Sequence, residues 1–222
     1  MDYLPRTLDR ELDELLPLAS AIALDGPKGV GKTDTAQRRS DVQWFMDDPA
    51  QRDIAAADFA FASVPPGTLL IDEWQKLPPV WDAVRRQVDA GAPPGRFFLP
   101  GSATPVDRAG THSGAGRILS LRMRPMALYE RGIPSTTVSL STLLAGAAGT
   151  IEGISSLMLS DYADHIVGGG FPGIMRAVPR LQRALLDAYV QHIIDRDLPE
   201  QGFDVPSSAV GGHSGGSERA LL

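Results

Sequence analysis

"LDGPKGVGKTDT" (residues 24–35) places a glycine-rich turn between a short apolar run, "AIALD" (21–25), and a polar segment that favours a helix. The turn satisfies the pattern Gly-x4-Gly-Lys-Thr, whose fixed positions are Gly26, Gly31, Lys32 and Thr33. The phosphates of a nucleotide need many hydrogen-bond donors within a small volume, and backbone N–H groups supply them where no side chain blocks the approach. A strand before the turn and a helix after it therefore indicate a phosphate-binding loop.

The side chains of the loop have separate tasks in this interpretation. The ammonium group of Lys32 can lie between the β- and γ-phosphates, and the hydroxyl of Thr33 can occupy one position on a magnesium ion. The competing interpretation is a chance turn in a chain with 23 glycines, which the flanking strand and helix disfavour. The predicted nucleotide-binding residues are Gly26, Pro27, Lys28, Gly29, Val30, Gly31, Lys32 and Thr33.

A second motif, "LLIDE" (69–73), follows a Pro-Pro-Gly breaker and predicts a buried strand that ends in two carboxylates. At the carboxyl edge of a parallel sheet, Asp72 can hold magnesium, usually through water. Glu73 can orient or deprotonate a water molecule aimed at the γ-phosphate. An acidic pair at a strand end can also cap a helix, but the place of this pair on the third predicted strand favours the hydrolytic role.

The polar stretch "LPGSATP" (99–105) follows the fourth predicted strand. Ser102 or Thr104 could hydrogen-bond the attacking water or the γ-phosphate. The alternative is an ordinary Ser-Thr-Pro turn, and the residues alone favour neither interpretation over the other.

Three arginines follow in "THSGAGRILSLRMRP" (111–125). A guanidinium group that points at a neighbouring subunit's γ-phosphate would stabilise the charge of the transition state. Arg117 is the best candidate because it leaves a Gly-Ala-Gly loop at the start of a strand. Arg122 and Arg124 alternate with apolar residues, which is typical of a solvated strand face, and a basic patch for DNA is the secondary interpretation.

The order of the predicted elements indicates an α/β protein. The predicted strands lie at 21–25, 42–48, 67–73, 96–105 and 117–123. Helical patterns precede the first strand and separate the first four strands, so we expect three layers around a parallel five-stranded sheet. From residue 136 the character changes to Ser, Gly and Ala and then to helical patterns. The sequence thus predicts a nucleotide-binding core at 1–135, a small helical domain at 136–202 and a disordered tail at 203–222.

The composition excludes several classes of protein. The 222 residues are 43% hydrophobic and 22% charged, which is typical of a globular protein. The absence of cysteine excludes disulfides and thiolate metal sites and is typical of the reducing cytoplasm. No segment is typical of a signal peptide, and the longest small-and-apolar stretch contains Glu152, so we expect no membrane partner. A net charge of −6 argues against general nucleic-acid binding but leaves room for a local basic patch.

Several motifs occur together and in order along the chain. They are "LDGPKGVGKT", "LLIDEWQKLPPVWDAVRRQVD", "LPGSATP", "HSGAGRILSLRMRPMALYERG", "GGFPGIMR" and "YVQHIIDRDLPEQG". Over about residues 3–203 the chain resembles the AAA-type ATP-binding proteins of bacteria and archaea that pair an amino-terminal ATPase with a carboxyl-terminal domain of unknown function. The combination of "IDEWQ", "GSATP" and "HSGAGR" is far more specific than the phosphate loop alone.

The resemblance implies an AAA+ ATPase with a helical lid that uses ATP and Mg²⁺. It implies a phosphate loop at residues 26–33, the magnesium and water-activating acids at Asp72 and Glu73, and a γ-phosphate sensor within "GSATP". Arg117 resembles an arginine finger, which would act within a homo-oligomer. Members of the family look like DNA-associated or defence-related ATPases, so DNA or a protein is the further partner that the resemblance implies.

The chain departs from the pattern of its relatives in two places. Pro100 stands where relatives usually have threonine, and proline removes a backbone donor at the end of the sensor strand, which shifts attention to Ser102. Relatives are also longer and add a carboxyl-terminal domain that looks nuclease-like in fold. This chain ends soon after "RDLPEQGFDV", so on this resemblance we expect a truncated family member.

Three functions are open on these grounds. The first is a magnesium-dependent ATPase whose hydrolysis drives a conformational change. The second is a nucleotide-binding module that hydrolyses ATP poorly because the chain is incomplete. The third is a small-molecule or nucleoside kinase, which the Asp-Glu pair disfavours because a kinase must exclude water. The sequence favours the first function and predicts as its catalytic residues Glu73, Lys32, Arg117 and Ser102.

Overall fold

The computed structural model describes residues 3–102, 114–133, 138–146, 152 and 154–200. Thr104 and the segment 203–222, for which the sequence predicts a sensor side chain and a disordered tail, lie outside these residues. The chain divides into two compact units, Met1–Met175 and Arg176–Leu222. The domain boundaries that the sequence places after residues 135 and 202 remain predictions.

The described part of the first unit contains a five-stranded sheet in which every pairing is parallel. Its strands are β1 (Ala21–Asp25), β2 (Val42–Phe45), β3 (Leu69–Asp72), β4 (Phe97–Gly101) and β5 (Leu119–Arg122). Their spatial order is β2-β3-β4-β1-β5. Each strand lies within its predicted run, and the parallel α/β fold is confirmed.

Helices precede the sheet, connect β1, β2, β3 and β4 in turn, and follow its last strand. In the first unit they are α1 (Thr7–Leu15), α2 (Lys32–Gln37), α3 (Pro49–Ala57), α4 (Pro79–Asp89), α5 (Leu140–Leu144), α6 (Leu159–Gly168) and α7 (Pro172–Met175), with 3₁₀ turns at Trp74–Lys76 and Leu128–Arg131. Local chemistry sets their starts: Asp48 caps α3 by accepting from the Ala50 N–H at 2.9 Å, and Pro49 begins the helix, where no N–H is needed.

Alternate residues of the strands face opposite sides of the sheet and bury two separate cores. Ala21 and Ala23 of β1 join a core with α3 and α4, whereas Ile22 and Leu24 join a core with α1 and α2. Because β1 is buried on both faces, its sequence is continuously apolar rather than alternating. The first unit therefore has the three layers that the sequence predicts.

The second unit contains a long helical segment among its described residues. α8 (Pro179–His192) continues through a π-helical turn (Ile193–Asp197) into α9 (Leu198–Glu200). The sequence predicts a helix here, and the role of this region as a lid remains a prediction. Among the described residues of both units, no helix combines the length and apolar character that a membrane span requires.

A buried arginine joins three segments of the first unit that are distant in sequence. The Arg6 guanidinium donates hydrogen bonds to the carbonyl oxygens of Val30 at 2.7 Å and of Arg124 at 2.6 Å. Its Nε lies 3.4 Å from Glu130 Oε1, and the two side chains are only 4% and 8% exposed. Arg6 thereby connects the amino-terminal segment and the 3₁₀ turn after β5 to the glycine-rich loop.

The carboxylate of Glu130 is the centre of the same network. It accepts hydrogen bonds from the backbone N–H groups of Thr7 at 2.7 Å and of Ala127 at 2.8 Å. Burial alone would raise the pKa of this carboxyl, but these N–H groups and the charge of Arg6 outweigh burial and hold the pKa below its usual value. Glu130 is therefore charged in the folded protein and needs its arginine partner.

We expect Arg6→Ala to lower the free energy of unfolding by about 3 kcal/mol, because it leaves the buried Glu130 carboxylate without its counter-charge. Arg10→Ala is the matched control, since Arg10 pairs with Glu14 on the surface at side-chain exposures of 89% and 71%. We expect that control to change stability by less than about 0.5 kcal/mol. Urea unfolding followed by circular dichroism measures both variants, and equal effects would contradict the importance of the buried pair.

Candidate functional site

The carboxyl ends of three neighbouring strands bring the predicted motifs to one edge of the sheet. β4 lies between β1 and β3, and β1 and β4 end side by side with Asp25 opposite Gly101. The glycine-rich loop leaves β1, Glu73 follows β3, and Ser102 follows β4. Ligands of open α/β sheets bind at this edge.

Glycines permit the tight path of the loop. Gly29 and Gly31 have φ angles of 73° and 102°, in the region that only glycine adopts freely. Gly26 is required by space, because a Cβ atom on it would lie 2.3 Å from the carbonyl oxygen of Met123. The structure thus supplies a physical reason for each glycine of the motif.

Lys32 is buried inside the loop. Its Nζ donates hydrogen bonds to the carbonyl oxygens of Gly26 at 2.7 Å and of Pro27 at 2.8 Å. Burial lowers the pKa of the Lys32 ammonium, and the negative charges of Glu73 and Asp72 oppose that shift. The loop's own neutral oxygens therefore hold a cation that an anionic phosphate would bind more strongly.

A hydrogen bond joins the glycine-rich loop to the acidic strand end. The Thr33 hydroxyl donates to Asp72 Oδ2 at 2.8 Å, and the backbone N–H of Glu73 donates to Asp72 Oδ1 at 3.1 Å. Burial raises the pKa of the Asp72 carboxyl; the Thr33 hydrogen bond lowers it, and the charge of Glu73 raises it further. A hydroxyl and a carboxylate in contact are the oxygen ligands that Mg²⁺ prefers, so these residues fit that ion.

Glu73 has a backbone conformation that is uncommon for a residue with a side chain. Its φ of 50° and ψ of 38° lie in the left-handed region, which costs a non-glycine residue about 1–2 kcal/mol. The turn is held by hydrogen bonds from the Glu73 N–H to the Pro100 carbonyl at 3.2 Å and from the Lys76 N–H to the Glu73 carbonyl at 2.9 Å. Strained residues of this kind cluster at functional sites.

The side chain of Gln75 links Glu73 to Ser102. Its Nε2 donates hydrogen bonds to Glu73 Oε2 and, at 3.1 Å, to Ser102 Oγ. Ser102 therefore lies beside the acidic pair, at the position where a sensor of the γ-phosphate is expected.

Pro100 lies inside β4, opposite Leu24 of β1. Its carbonyl accepts from Glu73 and so faces β3, and the N–H and C=O groups of one strand residue point to the same side. The backbone N–H that another residue would have at position 100 would therefore also face β3. It would lie beyond the Leu70–Phe98 pair, where the β3–β4 ladder ends. The proline removes no hydrogen bond between β1 and β4.

Arg117 lies at the amino ends of the strands, whereas the glycine-rich loop lies at their carboxyl ends. β5 begins at Leu119, opposite Ile22 near the start of β1, and Arg117 precedes that point. Its Nε is 2.8 Å from Asp89 Oδ1, and its side chain is 48% exposed. Arg117 is thus separate from this chain's own phosphate loop, and its action as an arginine finger on a neighbour remains a prediction.

Asp25 and Gln75 also lie at the site, although neither is among the site residues predicted from the sequence. Burial raises the pKa of the Asp25 carboxyl, while the positive charges of Arg122 and Lys32 oppose that shift. Asp25 Oδ1 is buried and has no hydrogen-bond partner among the described residues. An acid at the end of a continuously apolar strand was the available signal for Asp25. Gln75 had no such signal in the sequence, because its partner Ser102 is 27 residues away.

Fold and site together define a class of protein. A parallel α/β sheet with a Gly-x4-Gly-Lys-Thr loop after one strand and an acidic end on another is the arrangement of P-loop nucleoside triphosphatases. The sequence model of the AAA domain family matches residues 19–131, about half of the 222-residue chain. The chain therefore belongs to the AAA domain family.

Comparisons with individual proteins add relatives of this domain. An uncharacterized protein of Mycobacterium bovis and one of Mycobacterium tuberculosis are each 26% identical over 207 residues. The match covers 90% of this chain and 41% of each relative, so the chain spans about two fifths of their length. Among solved structures, a Walker-type ATPase of Pyrococcus abyssi is similar at a TM-score of 0.48 and 14% identity, over 90% of this chain and 75% of that one.

We expect Gly26→Ala to destabilise the fold by about 2 kcal/mol and to abolish nucleotide binding, because the added Cβ would push the loop away from β5. Gly91→Ala is the matched control, since Gly91 also has a positive φ, of 90°, but a Cβ there meets nothing within 4 Å. We expect only about 1 kcal/mol of strain in that control. Thermal unfolding and calorimetric titration with ATP measure the two effects, and unchanged ATP affinity in Gly26→Ala would refute the assigned loop geometry.

Proposed function

We propose that this protein binds ATP and hydrolyses it with magnesium, and that hydrolysis drives a change of conformation. The observation that carries the proposal is the 2.8 Å hydrogen bond from Thr33 to Asp72 beside the buried Lys32. It connects a phosphate-binding loop to an acidic strand end, the combination with which P-loop ATPases hold a nucleotide and its metal. Membership of the AAA domain family supports the same activity.

Binding would depend on backbone donors and on one lysine. The backbone N–H groups of this loop, which Pro27 alone lacks, would donate to the α- and β-phosphates, as in other loops of this sequence pattern. Lys32 would exchange the carbonyl oxygens of Gly26 and Pro27 for phosphate oxygens. That exchange is favourable because the phosphate oxygens carry negative charge, so the ammonium gains a charge–charge attraction that the neutral carbonyl oxygens do not supply.

Thr33 and Asp72 would hold the magnesium ion, directly or through water. When bound, the ion neutralises charge on the β- and γ-phosphate oxygens. The two side chains already touch, so little rearrangement is needed to present both oxygens to a cation. A nearby cation would also favour the charged form of Asp72, which burial disfavours.

Glu73 and Ser102 would act on the attacking water and the γ-phosphate. Glu73 would orient the water or accept its proton, and the Ser102 hydroxyl would donate a hydrogen bond to the γ-phosphate or to the water. Both side chains lie at the carboxyl edge of the sheet, joined through Gln75. Most of the rate would come from positioning and electrostatics.

We infer that the active form is a homo-oligomer in which Arg117 reaches the γ-phosphate of a neighbouring subunit. Its distance from its own phosphate loop and its half-exposed side chain suit an action between subunits. Arg117 would have to leave Asp89, but Asp89 keeps a second partner in Arg85, 3.1 Å away. That second pair reduces the cost of releasing Arg117.

We expect Lys32→Ala to weaken ATP binding by about 100-fold and Glu73→Gln to keep binding while slowing phosphate release by about 100-fold. Calorimetric titration and a phosphate-release assay, with and without DNA, measure the two effects. Lys76→Ala, an exposed lysine in the turn after Glu73, and Glu11→Gln, an exposed acid on α1, are the matched controls. Full phosphate release by Glu73→Gln would contradict the role assigned to Glu73. No release by the wild type, or phosphate transfer to an added nucleoside, would contradict the proposed ATPase.

The proposed arginine finger predicts complementation between two inactive variants. Arg117→Ala keeps an intact phosphate site, and Glu73→Gln keeps an intact finger, so a mixture should recover a measurable fraction of wild-type turnover although each variant alone is slow. Arg85→Ala is the control, because it also removes a partner of Asp89. Turnover by Arg117→Ala alone at the wild-type rate, independent of protein concentration, would rule out the finger.

A further inference from the structure

We propose that Gln75 is a positioning residue that fixes the Glu73 carboxylate and the Ser102 hydroxyl relative to one another. Contact of Ser102 with a γ-phosphate is thereby coupled to the orientation of the water-activating acid, Glu73. The proposal rests on the proposed ATPase function. Gln75 lies outside the phosphate loop and the acidic pair, and its proposed role is to join the two sides of the reaction site.

The geometry of the Gln75 amide carries the proposal. A single nitrogen, Nε2, donates to the carboxylate of Glu73, which follows β3, and to Ser102 Oγ, 3.1 Å away, which follows β4. A primary amide nitrogen has two hydrogens, so both bonds can form at once. Gln75 therefore bridges two strands with one rigid planar group.

The orientation of the amide is determined by its partner. The Glu73 carboxylate only accepts hydrogen bonds, so the NH₂ end of the amide must face it. The other end, Oε1, is buried and has no hydrogen-bond partner among the described residues.

The backbone around Gln75 holds the amide in place. Trp74 is 3% exposed and packs its ring 4.6 Å from that of Trp81. A Cβ on Gly101 would lie 2.6 Å from Trp74 Nε1 and 2.9 Å from Gln75 Oε1, so only glycine leaves room for both side chains. The packing of Trp74 and Gly101 thus leaves space for the Gln75 side chain in the position that it occupies.

A consequence for the reaction follows from this bridge. The left-handed backbone of Glu73 turns its side chain away from the regular path of β3, and without a partner the carboxylate could rotate about its side-chain torsions. A misplacement of about 1 Å can slow a reaction by about 100-fold while leaving ground-state binding intact. Removal of the bridge should therefore lower turnover far more than ATP affinity.

The test compares Gln75→Met, which keeps the length of the side chain and removes the donor, with Gln87→Met, the same change on α4. We expect Gln75→Met to lower kcat by about tenfold or more while the Kd for ATP stays within about threefold, and Gln87→Met to leave both unchanged. Gln75→Asn keeps the amide but is one methylene shorter, so it should show the same loss. It provides a second readout if Gln75→Met lowers the unfolding temperature.

A binding experiment tests the bridge without any turnover. For a non-hydrolysable ATP analogue and for ADP, the ratio of affinities reports contact with the γ-phosphate. We expect Ser102→Ala to reduce that ratio in the wild-type background and to have a much smaller effect in the Gln75→Met background, because the hydroxyl is no longer oriented there. Strictly additive effects of the two substitutions would overturn the bridge.

The two proposals fail in different ways. If the wild type releases no phosphate above background, the ATPase proposal fails and the affinity ratios alone decide on the bridge. If Glu73→Gln is inactive while Gln75→Met and Gln75→Asn keep kcat within about twofold of wild type, the positioning role is wrong and the ATPase proposal stands. Loss of kcat at unchanged Kd, together with non-additive affinity ratios, supports both.

Discussion

The parallel pairing of β4 with β1 on one side and with β3 on the other is the constraint on which the site depends. Parallel strands end at the same edge, so the glycine-rich loop, the acidic pair and Ser102 meet although they are far apart in sequence. The hydrogen bond from Thr33 to Asp72 then ties the loop to β3 at atomic distance. Arg6 adds a second tie, because it holds the Val30 carbonyl from a different part of the chain.

Charge and burial act against one another at this edge. The Lys32 ammonium interacts with three carboxylates, those of Glu73, Asp72 and Asp25, and burial pushes the pKa of Lys32 down and the pKa values of Asp72 and Asp25 up. Burial disfavours the charged forms of Asp72 and Asp25. A divalent cation beside Asp72 would favour its charged form, which is the electrostatic reason for including Mg²⁺ in the proposed reaction.

The parts of this structure that follow from local sequence were predictable. The strands lie within their apolar runs, and the Gly-Lys-Thr and Asp-Glu motifs are contiguous and mark the ends of two of them. The remaining contacts form only when the sheet assembles: Arg6 reaches Glu130 across 124 residues, and Gln75 reaches Ser102 across 27. The left-handed turn at Glu73 is likewise imposed by packing, because glutamate has no intrinsic preference for it. Side-chain spacing along the chain carries no information about these contacts.

The loop between β1 and α2 is proposed to bind the phosphates of ATP, with Lys32 moving from backbone carbonyls to phosphate oxygens. A crystal structure of the Glu73→Gln protein with ATP and Mg²⁺ would show whether it does. We expect phosphate oxygens within hydrogen-bonding distance of Lys32 Nζ, which no longer contacts the Gly26 and Pro27 carbonyls, and a metal ion beside Thr33 and Asp72. ATP bound elsewhere, with Lys32 still bonded to those two carbonyls as it is here, would contradict the proposal.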